Sequence, residues 1–99
     1  MAPKNVEFHE EAAREFEAAV EWYISRNTLS AMRFAESVSD AVAMIAEFPQ
    51  RWPKHSHGTR RFVLRRFPYL VIYRERSDAI QIVAIAHVSR RPGYWKARR

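Results

Sequence analysis

The feature that most narrows what this chain can become is the stretch Thr59 to Trp95, where apolar and basic residues alternate and then give way to a nearly uncharged run. On an extended backbone Arg61, Val63 and Arg65 point one way and Phe62, Leu64 and Arg66 the other. Tyr69 to Glu75 is rich in aromatic and β-branched residues, and Ile80 to His87 reads as a strand covered on both faces. Arg66-Phe67-Pro68 supplies one turn, and Arg76-Ser77-Asp78-Ala79 a second, because Ser and Asp side chains bond locally to the backbone. Three consecutive antiparallel strands follow. Arginines crowd one end and edge of this small sheet, and Arg90-Arg91-Pro92-Gly93-Tyr94-Trp95 leaves directly from its last strand.

The first half of the chain is helical. Val6-Glu7-Phe8, apolar at alternate positions, predicts a short strand at a sheet edge. A helix begins at His9 or Glu10, where Glu10 and Glu11 suit the positive end of the helix dipole. Its stripe is Ala13, Phe16, Val20 and Tyr23, with Ala12, Ala19 and Ile24 beside it. Ser25 to Thr28 breaks the pattern, and a second helix capped by Thr28 or Ser30 carries Ala31, Ala35, Val38, Val42 and Ile45 on one face until Pro49 ends it. Gln50 to Gly58 reads as a polar loop. His55 and His57 in it have no cysteine or nearby carboxylate to complete a metal site, so no metal or cofactor is expected. Trp52 is expected to close the end of the core. The order strand, helix, helix, three strands predicts an α+β domain with an antiparallel helix pair on one face of the sheet.

Ninety-nine residues suffice for one domain, spanning 1–99. The absence of cysteine excludes disulfides and thiolate chemistry. No apolar run approaches the ~20 residues of a membrane span, and the start of the chain lacks the apolar core of a signal peptide, so a soluble cytoplasmic protein is expected. The net charge of +6 is unevenly placed: residues 1–50 hold four Lys/Arg against nine Asp/Glu, and residues 51–99 hold thirteen against two. A basic second half points to a polyanionic or acidic partner.

Several segments together resemble the ParE/RelE superfamily of type II toxin–antitoxin toxins, also called plasmid stabilisation proteins. They are Met44-Ile45-Ala46-Glu47-Phe48-Pro49, Arg60-Arg61-Phe62, Pro68-Tyr69-Leu70-Val71-Ile72-Tyr73-Arg74, Ile85-Ala86-His87, and the ending Arg90-Arg91-Pro92-Gly93-Tyr94-Trp95, which looks ParE-like. The resemblance spans essentially the whole chain. It implies a small growth inhibitor neutralised by a cognate antitoxin, in a heteromeric complex, with homodimers through a strand edge also open. RelE-like members cut messenger RNA on the ribosome, whereas several ParE-like members poison DNA gyrase.

A metal-independent ribonuclease must activate a 2′-hydroxyl, stabilise charge on the phosphate and protonate the leaving oxygen. The positions where RelE-like nucleases place arginines match Leu70 and Val88 here, and neither can stabilise an anion. Under the nuclease reading the catalytic group is His87, Arg90 and Tyr94, with Arg90 reaching the missing arginine's place by a two-residue slip. The favoured ParE-like reading needs no catalytic set, only a target-binding surface, assigned to Arg60, Arg61, Arg65, Arg66, Arg74 and Arg91 with Trp95 as an aromatic anchor. A third reading is a non-toxic nucleic-acid-binding module, in which Phe62, Phe67 and Tyr69 stack on single-stranded bases.

Overall fold

The computed structural model describes residues 3–99. Strand β1 (Asn5–Phe8) is followed by helices α1 (Glu10–Arg26) and α2 (Thr28–Glu47), then by β2 (Lys54–His55), β3 (Thr59–Val63), β4 (Tyr69–Glu75) and β5 (Ala79–His87). The five strands form one sheet in the order β1-β5-β4-β3-β2. β1 runs parallel to β5 from Asn5 opposite Ala79 to Phe8 opposite Ile82, and every other pairing is antiparallel. The α+β class, the helix pair, the edge position of β1 and the three-strand meander agree with expectation. One strand was missed: part of the expected polar loop pairs as β2 with β3, Lys54 opposite Arg60. The turn that returns β2 to β3 has His57 and Gly58 both in the left-handed region, as tight hairpin turns require.

The helices join through Asn27 alone. It caps both, its N–H donating to the Tyr23 carbonyl and its side chain accepting from the Ser30 N–H at 3.2 Å, so the expected Thr28 or Ser30 cap moves to Asn27. His9 caps α1 the same way through Nδ1. The buried face of α2 is Ala31, Phe34, Val38, Ala41 and Ile45, rotated slightly from the expected one so that Phe34 enters the core. On α1 the fully buried positions are Ala12 and Ala19, and Ile24 lies exposed. Phe34 packs against Phe16, Tyr23, Phe67 and Tyr69, with ring centroids 5.1–5.9 Å apart.

The sheet is covered on both faces. The helices cover Leu64, Val71, Tyr73, Ile80, Ile82 and Ile85. Ile72, Val83, Ala84 and Ala86 on the opposite face lie under Trp95, with Leu70 and Tyr94 packed beside them. A β-bulge produces this division. Tyr73 faces Ile82 but Ile72 faces Ala84, so Val83 is an extra residue and both Val83 and Ala84 point to the tail face before Ile85 returns to the helices. Each fully buried Ile or Val contributes roughly 1.5–3 kcal/mol. Beneath α2, the Tyr73 hydroxyl donates to the Pro49 carbonyl at 2.7 Å, and burial drives its pKa up to about 12.

Candidate functional site

The bulge lies where β5 outruns its neighbour. β1 ends at Phe8, and beyond the last backbone bond, from the His9 N–H to the Ile82 carbonyl, the edge of β5 has no strand beside it. Exposed edge groups must be satisfied by something else. Two side chains do this. Glu15, from the middle of α1, accepts the Ile85 N–H at 3.1 Å, and Arg98, from the tail, donates to the Val83 carbonyl at 3.0 Å. The two then pair in fork fashion at 2.8 and 3.0 Å, with side chains only 17% and 14% exposed. The Tyr94 hydroxyl completes the cluster, donating to Glu15 at 2.6 Å. Burial and then the Glu15 carboxylate push the Tyr94 pKa well above the usual phenol range. Burial works to lower the Arg98 pKa, but the bond and charge of Glu15 outweigh it and raise it.

The same tail is fixed at a second point. Trp95 is 2% exposed on the tail face, and its ring stacks on His55 of β2 with centroids 5.3 Å apart. Gly93 is left-handed there, and a Cβ on it would sit 3.1 Å from Nε2 of His57. Both loop histidines are thus packed against the tail, and His55 is held below the ordinary histidine pKa by burial, then by Arg61 and His57. Among the described residues no three His, Asp or Glu side chains gather into a metal-holding group.

The residues expected to be catalytic meet at this end of the sheet. The Arg90 guanidinium lies 3.9 Å above the Tyr94 ring. Nδ1 of His87 accepts the Ser89 N–H at 3.1 Å, and its ring meets Tyr69 edge-on at 5.1 Å. His87 and Arg90 line an open groove of about 480 Å3 between α1 and the end of β5, walled by Trp22, Tyr69 and Ile85. Tyr94 does not present a free hydroxyl to it. Leu70 packs on the tail face, and Val88 is exposed.

The arginines expected to bind a target divide in two. Arg60 donates to the Trp52 carbonyl at 2.8 Å and, more weakly, to that of Gln50 at 3.4 Å. Arg74 holds Gln81 at 3.0 Å and the Arg98 carbonyl at 2.5 Å. These two guanidinium groups, like Arg98, fasten the chain to itself, and Trp95 is packing rather than a surface anchor. Arg61, Arg65, Arg66 and Arg91 are exposed with no acidic partner among the described residues. Sequence reasoning missed Glu15 and Arg98 altogether. Their only signal is opposite charge at distant positions, which a one-dimensional pattern does not connect.

A second groove, of about 570 Å3, runs between α2 and the outer edge of β3. Phe62, Leu64 and Met44 contribute its apolar lining, and Arg33, Arg65, Arg66, Glu36 and Asp40 its charge. β2 pairs only with Thr59 and Arg60, and the Arg61 N–H reaches back to Pro53, so among the described residues no strand lies beside the outer edge of β3 from Phe62 onward.

Comparison with known proteins gives a consistent result. The family model described as "ParE toxin of type II toxin-antitoxin system, parDE" matches residues 6–92. Among solved structures, the chromosomal ParDE toxin–antitoxin system from P. aeruginosa superposes with a TM-score of 0.75 at 19% identity, covering 85% of this chain and 95% of that one. No curated protein matches the chain.

Proposed function

Since the chain belongs to the ParE family of type II toxin–antitoxin toxins, we propose that it arrests bacterial growth by seizing a protein target, DNA gyrase, rather than by cutting RNA. The observation that carries this reading is the state of Tyr94. Its hydroxyl is committed to Glu15, its pKa is raised far out of the range useful for proton transfer near neutrality, and its ring lies beneath Arg90. With Leu70 and Val88 apolar as well, the nuclease set loses Tyr94 as a proton carrier and lacks an anion stabiliser at both arginine places. A protein poison needs neither. Gyrase is the target that the ParE-like resemblance implies, and Arg61, Arg65, Arg66 and Arg91 are the surface offered to it.

Neutralisation follows from the second groove. A strand edge without a neighbour among the described residues, apolar side chains beneath it and a rim of Arg33, Arg65 and Arg66 facing Glu36 and Asp40 fit an extended segment of a cognate antitoxin that orders on binding. The test is to induce the chain in bacteria without that partner and pulse-label DNA and protein synthesis in the first minutes. DNA synthesis failing first, with a DNA-damage response, is the expected result. Protein synthesis failing first establishes the nuclease reading with His87 and Arg90, and undisturbed synthesis of both overturns the toxin claim for this copy.

A further inference from the structure

The basic half of the chain keeps its cations in two populations. Arg60, Arg74 and Arg98 are partly buried and bonded internally. Lys54, Arg61, Arg65, Arg66, Arg90 and Arg91 are exposed, and among the described residues none of the six has a carboxylate partner. The fold gathers the five arginines among them. Arg65 and Arg66 lie in the connection between β3 and β4, Arg90 and Arg91 just beyond β5, and the Val88 N–H donates to the Pro68 carbonyl at 2.9 Å, which ties those two corners together. Arg61 continues the band along β3 on the tail face, whereas Lys54 of β2 is paired with Arg60 on the helix face and stands apart from it. Of the two carboxylates in this half, Glu75 is at the far end of β4 paired with Lys4, and Asp78 lies in the distant β4–β5 turn.

What the band lacks decides its partner. Single-strand platforms stack bases on exposed aromatics. Here Phe62, Phe67 and Tyr69 turn into the helix-side core and Trp95 is buried, which removes the stacking surface expected from the sequence. A row of solvated guanidinium groups with nothing to read or stack on a base matches a phosphodiester backbone. We propose that this toxin binds nucleic acid duplexes through their phosphates, without sequence preference, using the band from Arg61 through Arg65 and Arg66 round to Arg90 and Arg91. This goes beyond the gyrase reading and stands apart from it, because it concerns the isolated toxin and a bare duplex.

The test is fluorescence anisotropy of a labelled DNA duplex of arbitrary sequence titrated with purified toxin. With about four phosphates neutralised, log K falls with log salt at a slope of about −3.6, roughly a hundredfold between about 50 and about 200 mM. Arg65→Gln with Arg66→Gln, or Arg90→Gln with Arg91→Gln, lowers that slope by about 2, while Arg14→Gln on α1 leaves it unchanged. All are surface changes, and an unaltered thermal midpoint verifies folding. An RNA duplex binding equally well supports backbone recognition. Tighter binding to a single strand, equal binding to polyglutamate, or a slope indifferent to the band substitutions overturns the proposal. Since growth arrest is read separately in cells, loss of duplex binding with arrest intact separates the two activities and moves the target-binding surface off the substituted arginines.

Discussion

Arg98 and Arg65 are the same residue type in the same basic half of the chain, yet they have opposite relations to the fold. Arg98 is nearly enclosed, forks onto Glu15 and supplies a hydrogen bond that no strand provides to β5. Arg65 stands in solvent at a strand connection with no acid near enough to pair. The difference shows that charge count is a poor guide to function in a small basic protein. What distinguishes a fastening arginine from a contacting one is whether backbone geometry leaves it an unsatisfied group to serve. If so, substitutions in the pinned tail cost stability, and substitutions in the exposed band cost binding.

Trp95→Ala breaks the pinned side hardest. The ring covers Ile72, Val83, Ala84 and Ala86, and removing a buried Trp costs about 3–5 kcal/mol. The indole N–H finds no acceptor among the described residues, which offsets part of that gain in the native protein and places the loss toward the lower figure. Urea unfolding measures it, and a midpoint close to wild type would show that the tail is not part of the core. Arg98→Ala follows, at about 3 kcal/mol, since it leaves a largely enclosed Glu15 and strips the Val83 carbonyl. Glu15→Ala combined with Arg98→Ala should cost less than the two singles together, because the pair fails as a unit.

This contrast also marks how much was legible in the chain. The alternation in β3, the turn residues and the helix stripes gave the architecture, since those patterns are written within a few residues of one another. The β5 bulge was hidden because Ile82 to Ala86 around it is apolar throughout, so a switch of faces leaves no trace in the pattern. Strand β2 was hidden because two residues are too few to show a period. Glu15 lies 83 positions from Arg98, and only the place where β1 stops makes either one necessary. Trp95 is an aromatic anchor in the sequence reading, and only its burial shows it to be packing.

Smaller effects sharpen the comparison. Tyr94→Phe keeps the ring beneath Arg90 and removes one donor from a carboxylate that still holds Arg98, so about 1 kcal/mol is expected. Growth arrest by that variant should persist, and its loss in a folded protein would return Tyr94 to a catalytic part. His55 gives a pH dependence on the pinned side. Its folded pKa lies below the unfolded value of about 6.5, so as pH falls below that value the unfolded chain takes the proton first and stability declines until the folded pKa is passed. His55→Gln should flatten that portion of a melting-temperature profile, and an unchanged profile would assign the slope to other groups.

The smallest stability effect belongs to the exposed band, and it is the most informative. Arg65→Gln, Arg66→Gln, Arg90→Gln and Arg91→Gln remove no buried contact, and those at 65, 66 and 91 are each expected to shift unfolding by less than about 0.5 kcal/mol. Arg90 alone has a local partner, the Tyr94 ring, and a cation–π contact at an exposed site is worth only about 0.5–1 kcal/mol. Arg90→Gln should therefore be the most costly of the four. If all four together leave stability within about 1 kcal/mol of wild type while abolishing growth arrest, the band is the working surface. If arrest survives and stability falls, the division between fastening and contacting arginines is drawn in the wrong place, and Arg90 moves to the pinned side with Arg98.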